Sequence, residues 1–209
     1  MRVTRATCAW MVMTAGAMAL CSCDNGQSGK QPSPQAQAAA AGNPVVVIDT
    51  SMGKIRVELL ADRAPRTVAN FLKYVDDRHY DYTIFHRVND EFMIQGGGFT
   101  PDLKEKPTRE AIPNEAGNSL KNLPGTVAMA RTSEPHSATS QFFINTMNNT
   151  ETLDHKAPTQ DGYGYAVFGK VLSGMDVVHK IGRVPTTSEG PWQWKPTEPV
   201  IIRSIRREG

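Results

Sequence analysis

Thr83-Ile84-Phe85-His86-Arg87-Val88 and, after Asn89-Asp90-Glu91, Phe92-Met93-Ile94-Gln95-Gly96-Gly97-Gly98-Phe99 form the stretch on which the fold turns. Both runs begin with residues that favour strands, and each is bounded by turn-forming ones. Side chains on a strand alternate between its faces, so Phe85 and Arg87 are expected on one face, with Ile84, His86 and Val88 on the other. Met93 and Gln95 share a face by the same rule, as do Gln141 and Phe143 further on. Set side by side, these faces would make an apolar shelf carrying Arg87, Gln95 and Gln141. Such a surface suits a peptide, with a hydrophobic pocket for one side chain and donors for its carbonyls.

Outward from this stretch, Val45-Val46-Val47-Ile48 reads as a buried strand and Ser51-Met52-Gly53-Lys54 as a turn. Ile55, Val57 and Leu59 alternate along the returning strand of a hairpin. Pro65 opens a helix whose Val68, Phe71, Leu72 and Val75 fall on one face. Short strands are expected at 83–88, 92–95, 126–129, 141–144, 166–171 and 200–205, and a second short helix at 175–181. Residues 100–122 and 131–139 read as loops, and 182–199, with Trp192 and Trp194, as an irregular excursion. Many short strands with few helices point to a closed or nearly closed β architecture.

The chain has 209 residues, of which 39% are hydrophobic, enough to bury one core without cross-links. Its formal net charge of +2 comes from the N-terminal segment, where Arg2 and Arg5 have no acid beside them, so the remainder is balanced. A nucleic-acid or anionic-membrane binder would need a basic surplus, and no nucleic-acid partner is expected. Cys8, Cys21 and Cys23 all lie at the extreme N-terminus. The body therefore has no disulfide, thiol nucleophile or cysteine metal site.

Between Arg5 and Asp24 no residue is charged, and the mostly apolar run from Ala6 to Leu20 has the anatomy of a secretory signal. It is short for a membrane span and interrupted by Thr7, Thr14 and Gly16. Leu20-Cys21-Ser22-Cys23 resembles a bacterial lipobox, which makes Cys23 the expected site of lipid attachment. Release into the periplasm after ordinary cleavage is the alternative. Residues 24–43 lack any large apolar side chain and read as a flexible tether. The expected organisation is a lipoprotein-type signal over 1–22, a linker over 23–43 and one folded domain over 44–209.

Phe85-His86-Arg87-Val88 with Phe92-Met93-Ile94-Gln95-Gly96-Gly97-Gly98-Phe99 resembles the signature of the cyclophilin-type peptidyl-prolyl cis-trans isomerases. Gly125-Thr126-Val127-Ala128-Met129-Ala130-Arg131-Thr132 and Ser140-Gln141-Phe142-Phe143-Ile144-Asn145 match the family's next blocks in order. Leu153-Asp154 and Gly164-Tyr165-Ala166-Val167-Phe168-Gly169 match the fourth. The resemblance runs from about Val45 to Ile205 and is closest to the bacterial secreted, periplasmic branch. It implies a mainly β fold, a closed eight-stranded antiparallel barrel capped by two α-helices, with its substrate groove on the outer wall.

By position, the resemblance places the active-site arginine at Arg87, the proline pocket at Phe92, Met93, Phe143 and Leu153, and the polar side of the groove at Gln95 and Gln141. Ala130 and Arg131 fall where the substrate backbone binds. Asn replaces Arg131 in many eukaryotic members, so the backbone there is expected to act rather than the side chain. Tyr165 takes a slot that is histidine in many of those relatives, and Thr152 the slot of a tryptophan that supports cyclosporin binding, so drug sensitivity is expected to be weak. The implied activity is rotation of Xaa-Pro bonds in unfolded or flexible polypeptides, assisting the folding of exported proteins. No cofactor is implied, and a monomer is expected. A chaperone that binds proline peptides without turnover is the rival reading; intact Arg87 speaks against it, since a pure binder has no use for that donor.

Other patterns have ordinary explanations. His79, His86, His136, His155 and His179 lack the paired spacing of a zinc helix, so no metal is expected. His86 is expected to face the barrel interior or a hydrogen-bonding neighbour. No Lys-Ser/Thr follows Gly96-Gly97-Gly98, whose role is a tight bend rather than phosphate binding. Ser137 and Ser140 lie near His136 without the elbow motif of a serine hydrolase.

Overall fold

The computed structural model describes residues 43–209. The signal, Cys23 and nearly all of the tether lie outside the described residues. In chain order the elements are β1 (Val45–Thr50), β2 (Gly53–Leu59), α1 (Pro65–Asp76), β3 (Thr83–Asn89), β4 (Met93–Gly96), β5 (Thr126–Met129), β6 (Phe142–Asn145), α2 (Thr150–Leu153), β7 (Val167–Ser173), α3 (Met175–Gly182), β8 (Thr186–Glu189), β9 (Trp192–Pro196) and β10 (Val200–Arg207). Eight strands close into a barrel in the order β1-β10-β3-β4-β6-β5-β7-β2, every pair antiparallel. The expected closed architecture is the observed one.

The inward faces of these strands fill the barrel. Val46, Ile48, Ile55, Val57, Leu59, Phe85, Val88, Ile94, Phe142, Ile144, Phe168 and Ile202 are all buried in one cluster. Helix α1 starts at Pro65, whose fixed φ suits a first helical position. It lays Val68, Phe71, Leu72 and Val75 onto that cluster. The Phe71 ring sits 5.1 Å from Phe168, 5.2 Å from Tyr80 and 5.6 Å from Phe142, closing the barrel end at which β6 begins. Helix α3 buries Val178 and Ile181 at the opposite end, beside the β1–β2 turn. A Cβ on Gly53 (φ +140°) would lie 2.7 Å from Val177, so the turn needs glycine both for its backbone and for the helix's approach.

Three local expectations require correction. Residues 182–199 are not simply irregular, because β8 and β9 pair as a separate two-stranded hairpin. Its Thr186-Thr187-Ser188 strand is short and polar, and tertiary packing supplies what periodicity does not: Trp192 lies 5.0 Å from Phe99 and 6.1 Å from His86. The one-turn helix α2 was not anticipated, because four residues carry no helical period. Phe85 and Arg87 do not share a face. In the β3–β4 ladder Phe85 opposes Gly96 and Arg87 opposes Gln95, so His86 is an extra residue, a β-bulge. Phe85 and Val88 therefore both point inward, while the bulge releases Arg87 to the outer wall.

His86 itself faces neither the interior nor a hydrogen-bonding partner. It is 6% exposed, its ring is 4.8 Å from Phe99, and its buried Nδ1 has no partner. Burial, helped by the neighbouring Arg87 charge, pushes it down to about 4. Gly97 (φ +88°) makes the expected bend after β4, where a Cβ would press on Tyr80 and Phe142 at 2.9 and 3.1 Å.

Phe71→Ala should cost about 3–5 kcal/mol of unfolding free energy in urea titration, because the void sits where four aromatic rings meet. An unchanged midpoint would show that the helix does not plug the barrel. The His86 shift makes a second prediction. Its folded pKa lies below its unfolded value of about 6.5, so it binds fewer protons when folded, and stability is lost as pH falls from about 6.5 towards 4. Burial lowers His79 as well, so part of this slope remains without His86. The drop in stability between pH 7 and pH 5 should shrink by about 2 kcal/mol in His86→Phe. Equal drops in the two proteins would place the acid sensitivity elsewhere.

Candidate active site

Cross-strand register builds the site as a row across the outside of the barrel. Arg87 on β3 opposes Gln95 on β4, Gln95 opposes Phe143 on β6, and Phe143 opposes Ala128 on β5. Neighbouring strands lie roughly 4.8 Å apart, so the backbones of Arg87 and Phe143 are separated by about 10 Å, with Gln95 between them. Met93, Ala128, Phe143, Leu153 and Val167 form a second apolar cluster, separate from the barrel interior, with Phe92, Ala130 and Tyr165 packed against it.

This cluster floors a groove of about 200 Å³ lined by Arg87, Phe92, Met93, Gln95, Ala130, Arg131, Phe143, Leu153 and Tyr165. The structure thus brings together residues from six separate segments singled out in the sequence. Gln141 stands just outside the lining, its Oε1 accepting from Gln95 Nε2 at 3.0 Å. Gly98 leaves room for it: a Cβ there would lie 2.6 Å from the Gln141 side chain. Among the described residues no carboxylate lines the groove.

Arg87 supplies the charge at the polar end. Its guanidinium carbon lies 5.6 Å from the Phe92 ring centre and 4.9 Å from that of Trp194. Its buried Nε has no hydrogen-bond partner. Burial lowers its affinity for the proton, with the nearby Tyr165 partly offsetting this, yet an arginine stays charged at neutral pH. Arg131, by contrast, is tied down. It donates to the carbonyls of Gly164 at 3.0 Å, Thr132 at 2.9 Å and Ser133 at 3.1 Å, and lies 4.7 Å over the Tyr165 ring. The side chain thus joins two loops at the groove wall. The Ala130 N–H donates to the Gln141 carbonyl at 3.0 Å.

Beneath the pocket runs a buried polar network that the sequence reading missed. Asn149 Nδ2 donates to the Phe92 carbonyl and to Asn145 Oδ1, both at 2.7 Å. Asn145 donates in turn to Asn122 Oδ1 and Thr126 Oγ1, and Asn122 donates from its backbone and side chain to Asp154 Oδ1 at 2.8 and 3.0 Å. The network fixes the backbone of Phe92 and the α2 turn that presents Leu153. The only trace of it in the sequence is the asparagine-rich segment Asn145 to Asn149, which reads as turn chemistry.

A family model described as cyclophilin type peptidyl-prolyl cis-trans isomerase/CLD matches residues 45–207. A peptidyl-prolyl cis-trans isomerase of Streptomyces antibioticus is 55% identical over 77% of this chain and 96% of its own length. Peptidyl-prolyl cis-trans isomerase B of Escherichia coli is 52% identical over 77% of this chain and 98% of its own. The crystal structure of a Cryptosporidium parvum cyclophilin type peptidyl-prolyl cis-trans isomerase in the presence of the dipeptide Ala-Pro is 26% identical, with a TM-score of 0.63 over 79% of this chain and 99% of that one. Family match, identity and barrel agree, and the chain belongs to the cyclophilin-type peptidyl-prolyl cis-trans isomerases.

Proposed function

We propose that the outer groove binds an Xaa-Pro segment of an unfolded or flexible polypeptide and that Arg87 drives rotation of its imide bond. The observation that carries this reading is the charged Arg87 at one end of an apolar hollow formed by Phe92, Met93, Phe143 and Leu153. Rotation of a prolyl amide must break its resonance, with a barrier of about 20 kcal/mol. No covalent intermediate is needed: the site has to hold the twisted amide better than either planar form.

As the C–N bond twists, the prolyl nitrogen becomes pyramidal and gains a lone pair. Arg87, with donors and no acceptor, can hydrogen-bond to that nitrogen in a way the planar amide cannot match. A charge-assisted bond contributes about 1.5–3 kcal/mol, one to two powers of ten in rate. The hollow adds the rest by holding the ring while the Gln95 and Gln141 amides donate to the flanking carbonyls and the Ala130 carbonyl accepts from a substrate N–H, in a desolvated setting. Tyr165 and the clamped Arg131 close the far wall.

Arg87→Ala should lower kcat/KM by about ten- to a hundredfold in a protease-coupled prolyl-peptide assay, with the thermal transition kept. Phe143→Ala should chiefly weaken peptide binding, read by titration. Near-normal turnover in the first variant would remove Arg87 from the catalytic role, whereas holdase activity without isomerase activity in the wild type would favour the non-catalytic chaperone.

The signal-like residues 1–22 and the lipobox around Cys23 support an exported protein whose clients fold outside the cytoplasm, held at a bacterial membrane in the periplasm by a lipid on Cys23. Mass spectrometry of the mature chain should then find Cys23 first and acylated. An unmodified terminus beyond Cys23 would remove the anchor.

A further inference from the structure

We propose that Trp194 is a positioning residue for Arg87, setting the direction of its donors from behind the groove. This rests on the reading of Arg87 as the catalytic cation and adds what holds it in place. The buried Nε of Arg87 has no hydrogen-bond partner, so no bond at that atom fixes the plane of the guanidinium. Two aromatic faces take that role. The guanidinium carbon is 4.9 Å from the Trp194 ring centre and 5.6 Å from the Phe92 ring centre, and the rings lie 6.3 Å apart at 67°. They form a bracket around the cation. Phe92 also lines the hollow, but Trp194 does not. It touches the cation rather than the space a proline would fill.

The hairpin is built to hold this ring. Trp194 has φ +51°, a left-handed conformation that is unusual and costly for so bulky a residue. The β8–β9 pairing on either side enforces it, with Thr187 opposite Lys195, Glu189 opposite Trp192, and the Trp194 N–H donating to Ser188 Oγ at 3.2 Å. Two residues earlier Trp192 packs on Phe99 and His86, the bulge residue beside Arg87. The hairpin thus grips β3 at the bulge and lays its second indole on the cation that the bulge exposes. A cation held over an aromatic face keeps its charge and its N–H donors while losing freedom of orientation.

The test is isomerase kinetics on a prolyl tetrapeptide, with kcat and KM resolved separately, for Trp194→Leu, Trp194→Phe, Arg87→Ala and the double variant Trp194→Leu/Arg87→Ala. Leucine keeps apolar bulk without a π face, so Trp194→Leu should lower kcat about five- to tenfold with KM little changed. Trp194→Phe should recover most of that loss, and the double variant should be no slower than Arg87→Ala alone. Full activity in Trp194→Leu overturns the proposal, as does a rise confined to KM or a further loss of the same factor on the Arg87→Ala background. Full activity in Arg87→Ala instead sinks the underlying reading of the site, an outcome read without any Trp194 variant.

Discussion

An eight-stranded barrel closes at a diameter that its own side chains fill, and everything functional in this protein follows from that constraint. Phe85, Phe142, Phe168 and the aliphatic residues around them pack the barrel interior, and α1 and α3 close the two ends. The groove is built on the outer wall. There the residues that would otherwise face water, Met93, Phe143, Ala128 and Val167, form a second apolar cluster. The wall behaves as two surfaces back to back, one packing the core and one presenting the groove.

A surface groove is harder to hold rigid than a cavity, and the structure answers this from three sides. The bulge at His86 turns Arg87 outward without disturbing the inward residues on either side of it. The asparagine network below the floor ties Phe92 to the α2 turn through buried hydrogen bonds. At the rim, Arg131 joins the carbonyls of two loops while lying over the Tyr165 ring. The network and the Arg131 clamp both end on backbone carbonyls, those of Phe92, Gly164 and Thr132, which are more constrained than side chains.

The eight barrel strands, the two longer helices and the groove residues were legible because each leaves a local mark: alternation, a helical face opened by Pro65, or a run of residues matching a family block. The bulge was not. Alternation by two is the only local rule available for a strand, and it carries Phe85 and Arg87 onto one face until the partner strand reveals the extra residue. Trp194 was hidden for a related reason, since its hairpin is polar in one strand and is stabilised by contact with Phe99 and His86, far away in sequence. The network beneath the pocket escaped notice because asparagines near a strand end ordinarily mark turns. In each case the missing information lay in tertiary contact.

The order of strands around the barrel has one more consequence. β1, the first strand of the folded domain, finds one of its two neighbours in β10, the last. The seam between them cannot be sewn until β10 has been made, because its second edge does not exist before then. Until then β1 lacks one of its two partners, and closing that loop of nearly the whole domain is an entropic hurdle met late. A member of the peptidyl-prolyl cis-trans isomerase family thus carries a late folding step of its own.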